Sequence, residues 1–309
     1  MSDEPALLLI GHGSRSPAGV AQFWQFSDLV QLAAPELQVS SGFIEFAEPT
    51  LDEAIDAAVA EGTSSVVAVP LVLLGAGHMK DDGPAALARG RARHPGVAFS
   101  YARDLGVHPL VLDSVAERAR VAVKEPRNPR STARTALVLV GRGSTDPDAN
   151  ADLYKAGRLI ADNRAIGGDE ELDEVQPAFV SLARPSVEEA LDRTYALGAR
   201  QVVVVPYFLF TGILVDRISE QAATWAAIHE DVSLAVASEI GPDRRIAALV
   251  LERFSEAASG NAAMNCDCCL YRVRMPGFEH RLGSQGLSLP TSLGGEDMGE
   301  SSSGQPTRL

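Results

Sequence analysis

Three cysteines in 309 residues, all between positions 266 and 269, exclude a disulfide framework for the body of the chain. Cationic residues are also few. Lys and Arg total 27 against 41 Asp and Glu, a formal net charge of −14, so the basic face that a nucleic-acid groove needs is missing. Such a surface offers no general attraction to anionic membranes either. Long apolar runs are absent. The longest, "VVVVPYFLFTGILV" (Val202 to Val215), is too short to span a bilayer and contains Pro206. The first residues, "MSDEPALLLIGHG", carry acidic side chains where a secretory signal needs basic ones, so a cytoplasmic protein is expected. Several nucleotide and hydrolase motifs are missing too. There is no GxxxxGK[ST] and no GxSxG, and "GHGSRSPAG" has Ser16 at the last glycine of a dinucleotide fingerprint. A phosphohistidine mutase would want an Arg immediately before His12, where Gly11 stands.

What the chain does have is a repeat. "ALLLIGHGSRSP" from Ala6 returns as "ALVLVGRGSTDP" from Ala136, so that Gly11, Gly13, Ser14 and Pro17 map onto Gly141, Gly143, Ser144 and Pro147. "GFIEFAEPTLDEAI" from Gly42 returns as "AFVSLARPSVEEAL" from Ala178, pairing Phe43, Pro49 and Glu53 with Phe179, Pro185 and Glu189. Two ordered blocks of matches identify an internal duplication. With 46% hydrophobic and 22% charged residues, each half has the material for a packed core.

Each half alternates short apolar runs with longer amphipathic ones. In the first half the expected strands are "ALLLI", "VSSGFIEF", "SSVVAVPLVLL" and "VAFSYA". The expected helices start at Ser16-Pro17, at Pro49 and after Asp82-Gly83-Pro84, and a last one covers about His108 to Val123. Strands apolar on both faces belong to parallel sheets covered by helices, so the expected fold is α/β, two duplicated lobes each with a parallel sheet flanked by helices. The expected boundaries are 1–124 and 135–260 for the lobes and 125–134 for a Pro- and Arg-bearing linker. A cysteine-containing extension at 261–283 and a Gly/Ser-rich disordered tail at 284–309 would follow.

Ligands of open α/β sheets bind beyond the carboxyl ends of the strands. In the first half those ends deliver His12, then Glu45 and Glu48, then "GAGHMKDD" with His78, Lys80, Asp81 and Asp82. The second half has Arg142 at the place of His12, Ser181 at that of Glu45 and Leu214 at that of His78, and it offers Arg184 and Arg217 nearby. Imidazole suits Co²⁺, Fe²⁺, Ni²⁺ and Zn²⁺ and also takes protons near neutrality. Arginines opposite would pair with substrate carboxylates. Metal insertion into an anionic tetrapyrrole needs all three functions, because two pyrrole protons must leave as the ion enters. His94, His108, His229 and His280 are expected to serve structure.

"LLLIGHGSR…GFIEFAEPTLDEAI…VVAVPLVLLGAGHMKDD" resembles the class II chelatases of the sirohydrochlorin cobaltochelatase and ferrochelatase group, and "MNCDCCLYRVRMPGFEHRLG" from Met264 resembles the extension of its long, two-repeat members. The resemblance implies the chelatase fold, with His12 and His78 as metal ligands and catalytic groups and Glu45 in the same cleft. Ser14, Arg15, Arg142 and Ser144 are the expected substrate contacts. Sirohydrochlorin is the implied substrate, with Co²⁺ as the metal and Fe²⁺ as the alternative. A non-catalytic metal or tetrapyrrole carrier is the alternative of another class. The chain would act as a monomer or homodimer. Cys266 and Cys269 match a Met-x-Cys-x-x-Cys signature associated with an iron–sulfur cluster, and Cys268 adds a third thiol, one short of the usual four ligands.

Overall fold

A computed structural model describes residues 5–76, 81–123, 134–163 and 172–261. The first half runs β1 (Ala6–Gly11), α1 (Pro17–Ala33), β2 (Val39–Phe43), α2 (Leu51–Ala60), β3 (Ser65–Pro70), α3 (Asp82–Arg93), β4 (Ala98–Tyr101) and α4 (Pro109–Ala122). The second runs β5 (Arg134–Gly141), α5 (Pro147–Asn163), β6 (Glu174–Phe179), α6 (Val187–Ala196), β7 (Ala199–Pro206), α7 (Ile213–Ala226), β8 (Ser233–Val236) and α8 (Arg244–Ala258). These form two four-stranded parallel sheets, ordered β2-β1-β3-β4 and β6-β5-β7-β8, as the duplicated pattern predicts. Among the described residues no helix is long and apolar enough to cross a membrane.

Side chains alternate across a strand, so each central strand feeds two cores. Leu7 and Leu9 of β1 and Leu137 and Leu139 of β5 enter one core common to both halves. Leu8 and Ile10 face a separate core with Ile55 and Leu87, and Ala136, Val138 and Val140 face another with Leu191, Ile218 and Trp225. The last helix of each half crosses over. Helix α4 packs on β7, β8 and α5, and α8 packs on β3, β4 and α1. Matching arginines, each the tenth residue of its helix, fasten the exchange. Arg118 donates to the Ile240 carbonyl at 2.6 and 3.0 Å, and Arg253 donates to the carbonyls of Asp104 at 3.0 Å and Leu105 at 3.2 Å.

Two local expectations, the start of α2 and the end of β2, are corrected, and the N-cap of α1 is found where expected. Helix α2 starts at Leu51 and not at Pro49. Thr50 caps it, its side chain accepting from the Glu53 amide at 3.3 Å while the Glu53 carboxylate accepts from the Thr50 amide at 2.8 Å. The matched Glu53 and Glu189 are thus capping-box residues, each with its own Thr or Ser. Ser16 sits at the N-cap of α1 without a side-chain cap; the Ser14 hydroxyl accepts from its amide at 3.0 Å. Strand β2 stops at Phe43 and not at Phe46, because the chain turns sharply at Phe46.

Candidate functional site

The first-half site is built by two loops pressed together. Beyond the strand ends, the Ile44 amide still donates to the Gly11 carbonyl at 2.9 Å and the Glu45 amide to the His12 carbonyl at 3.0 Å. Gly13, at φ +92°, lies so close that a Cβ there would stand 1.6 Å from the Glu45 carbonyl oxygen. Only glycine permits that approach. It sets His12 beside Glu45, with Nδ1 3.5 Å from Oε1, both side chains about one-third exposed and Nε2 screened from solvent. A carboxylate beside Nδ1 favours the tautomer whose lone pair is on Nε2, the arrangement used by metal-binding histidines.

The next residue closes a tight turn. The Ala47 amide donates to the Glu45 carbonyl at 2.9 Å, spanning Phe46 at φ +63°. Such a γ-turn is rare and strained, of order 1–3 kcal/mol for a bulky residue. Phe46 stacks near His12, with ring centroids 6.3 Å apart, and the Arg15 guanidinium stands 4.7 Å from its centroid. The two halves meet at these edges: a Cβ on Gly19 would lie 2.5 Å from the Thr211 carbonyl and 3.1 Å from the Ser14 hydroxyl. His78 and Lys80 lie outside the described residues, as do Cys266, Cys268 and Cys269. Among the described residues no group of three or more His, Cys, Asp or Glu side chains is placed to hold a metal ion.

The second half repeats the frame and changes the side chains. Gly143, at φ +85°, would bring a Cβ to 1.9 Å from the Ser181 carbonyl. Arg142, in the place of His12, is exposed, and Ser181 replaces Glu45. The Ser144 hydroxyl accepts from the Asp146 amide at 3.0 Å, the same turn contact Ser14 makes. Arg184 pairs with Glu189, and Arg217 is exposed on α7. Leu214 packs against the second-half outer core. Of the histidines expected to be structural, His94 binds Asp56 at 2.7 Å, the His108 side chain caps α4, and His229 stacks on Trp225. His280 lies outside the described residues.

Sequence reasoning missed the carboxylates where the halves join. The sixth residue of the first helix is Gln22 in one half and Asp152 in the other, and the third residue after the fourth strand is Asp104 or Glu239. On one side Gln22 donates to Glu239 at 2.6 Å and accepts from the Thr211 amide at 2.8 Å. On the other, Asp104 is buried and its carboxyl is pushed up to about 6, chiefly by desolvation and then by Asp152. Arg253, Arg103 and the Gly75 amide oppose that shift. The Tyr207 hydroxyl is buried there, and desolvation with the two aspartates raises its pKa. Aligning the repeats would have shown the Gln-to-Asp change, but not that it faces another carboxylate.

Comparison with known proteins fits this arrangement. The sequence profile of the CbiX family matches the chain twice, over residues 6–122 and 136–257. A sirohydrochlorin cobaltochelatase of Priestia megaterium is 35% identical over 278 residues, 87% of this chain and 85% of that protein. A sirohydrochlorin ferrochelatase of Bacillus subtilis is 30% identical over 258 residues, covering 83% and 93%. The solved structure of SirB from Bacillus subtilis with Fe³⁺ superposes with a TM-score of 0.69 at 28% identity, covering 83% of this chain and 96% of that one. With both repeats matched and the fold shared over most of its length, this chain belongs to the CbiX family.

Proposed function

We propose that this protein is a chelatase that inserts a divalent metal ion into sirohydrochlorin, with Co²⁺ as its metal. The observation that carries the reading is the apposition of His12 and Glu45, 3.5 Å apart at the carboxyl ends of β1 and β2. The reaction exchanges one M²⁺ for two pyrrole protons. Glu45 holds the His12 ring through Nδ1, which directs the Nε2 lone pair to the incoming ion, and His78 supplies the second imidazole. The carboxylate and the imidazoles then accept the departing protons, a role that typically contributes ~10²-fold or more. Arg15 and Arg142, with Ser14 and Ser144, meet the carboxylates of the substrate, where a guanidinium forms two parallel hydrogen bonds.

Cobalt is favoured by the cobaltochelatase of Priestia megaterium, at 35% identity. Fe²⁺ is the second reading, favoured by the Bacillus subtilis ferrochelatase at 30%. Two His and one carboxylate suit both ions. Both loop sets come from one chain, so a monomer is the working unit and a homodimer the alternative. The cysteine segment is given no step in the insertion, and the cytoplasm is the expected location.

Purified protein mixed anaerobically with sirohydrochlorin, then with Co²⁺ or Fe²⁺, tests the reading through the absorbance change of the macrocycle. Turnover above the uncatalysed rate is expected, faster with Co²⁺. Stoichiometric binding of metal or tetrapyrrole without turnover would make the protein a carrier.

A further inference from the structure

Phe46 and Leu182 occupy the same place in the two repeats, an offset of 136, and share two unfavourable features. Each is a bulky apolar residue at positive φ, +63° and +60°. Each is the centre of a γ-turn, closed by Ala47 N–H to Glu45 O at 2.9 Å and by Ala183 N–H to Ser181 O at 2.7 Å. Glycine adopts that backbone without steric cost, and a branched or aromatic side chain does not. Yet both side chains stand largely in solvent, 51% and 64% exposed. A core role would explain an apolar residue there, and a turn role would explain glycine; neither explains Phe and Leu. Other exposed apolar residues such as Leu32, Ile213 and Ile228 lie in or beside helices at negative φ, where single exposures need no explanation.

The surroundings indicate what these side chains meet. Phe46 lies next to His12, and Arg15 holds a positive charge against its ring. Leu182 borders a shallow depression with Ser181 and Arg184, and Arg142 lies in the adjoining loop, its carbonyl accepting from the Ser181 amide at 3.0 Å. Each turn therefore puts one apolar surface beside an arginine at the carboxyl edge of its sheet, Arg15 at Phe46 and Arg184, paired with Glu189, at Leu182. That combination suits a flat conjugated ring with carboxylates on its rim. Resting on the chelatase reading above, we propose that Phe46 and Leu182 are the apolar contacts for the tetrapyrrole face, one from each half, and that they set the position of the ring relative to His12. The strained turns thrust the side chains out from the sheet edge, and Arg15 keeps the Phe46 ring in place.

The test compares Phe46→Gly, Phe46→Leu and Leu182→Gly with the wild-type chain. The readouts are equilibrium binding of metal-free sirohydrochlorin, thermal unfolding and sedimentation. Glycine relieves the turn, so both glycine variants should melt no lower than the wild type. Each should still bind sirohydrochlorin about tenfold more weakly, the loss expected when half a large apolar side chain no longer becomes buried. Phe46→Leu should keep most of the affinity, since the second half already carries leucine there. Glycine variants that bind like the wild type would overturn the proposal. So would affinity losses that simply follow lower melting temperatures, or a change in sedimentation without a change in affinity, which would make the turns a contact between chains. A wild-type chain that does not bind sirohydrochlorin would instead overturn the chelatase reading on which the proposal rests.

Discussion

The two halves share a frame and differ at its edge. Both have the same strand order, the same capped second helix, the same glycine pressed on the neighbouring loop, and the same arginine fastening an exchanged helix. At the strand ends one half carries His12 and Glu45, and the other carries Arg142 and Ser181 in those places. At the two junctions a Gln–Glu hydrogen bond on one side is replaced by a pair of aspartates on the other. The positions kept in both halves are those where a cap or a close backbone approach leaves few alternatives, and the core positions keep apolar character. The strand-end positions are not fixed by packing, and under the proposed function the imidazole and carboxylate of one half serve metal and protons while the guanidinium of the other meets anions.

The largest effect should come from the fastening arginines. Arg253 is 1% exposed and pairs with Glu252 and Glu256, and Glu256 also takes both arms of Arg103. Removing it leaves a cavity and strands the buried Asp104 and Leu105 carbonyls, so Arg253→Ala should lower stability by about 3–5 kcal/mol in urea unfolding. Arg118 is half-buried and holds one carbonyl, so Arg118→Ala should cost about 1.5–3 kcal/mol. Equal losses would mean that the two exchanges are energetically alike.

Asp104 sharpens the comparison of the junctions. Burial, and then Asp152, pushes its carboxyl up to about 6 in the folded chain, against 3.8 for a solvated aspartate. The folded state therefore binds more protons than the unfolded chain between those values. This group's stabilisation is present below pH 3.8 and is lost as pH rises through 6, by about 3 kcal/mol. Asp104→Asn should remove that part of the pH dependence, seen as a smaller loss of stability than the wild type from pH 4 to 7. Glu239→Gln at the other junction is the control and should leave the dependence in place.

For activity, His12→Ala and His78→Ala should each lower turnover by ~10²-fold or more with the fold intact. Glu45→Gln should reduce turnover more than tetrapyrrole binding. Arg142→Ala, at the place of His12 in the second half, should instead raise KM for sirohydrochlorin by about tenfold. That penalty should shrink at high salt, since exposed charges are screened. A turnover loss from Arg142→Ala matching that of His12→Ala would erase the division of labour between the halves. The smallest and most equal effects belong to the helix caps. Thr50→Ala and Ser186→Ala should each cost about 1 kcal/mol, because both make the same capping box.

Much of this was readable from local pattern. The four-residue apolar run before Gly11, the Ser-Pro start of α1 and the recurring Gly-x-Gly-Ser are enough to place the first strand and helix of each half, with His12 at a strand end. The placement of Phe46 was not readable. Its sequence context looks like continued strand, and only the backbone shows the turn at positive φ. Glu53 stands out in the sequence as a repeat match, and Thr50-x-x-Glu53 is also the helix-start signal that the capping box of α2 realises.

The sequence by itself determined the duplication, the parallel α/β class, the net negative charge, and which half carries imidazole and which carries guanidinium. Each of these is a matter of composition or of short-range periodicity. The tertiary structure alone decided which sheet each last helix covers, that Gly13 brings His12 against Glu45, and that Asp104 loses its water beside Asp152. The physical reason is range. A helix's apolar stripe says that it must be covered, not by which half. A carboxylate's pKa depends on burial and on charges that reach it from distant parts of the chain.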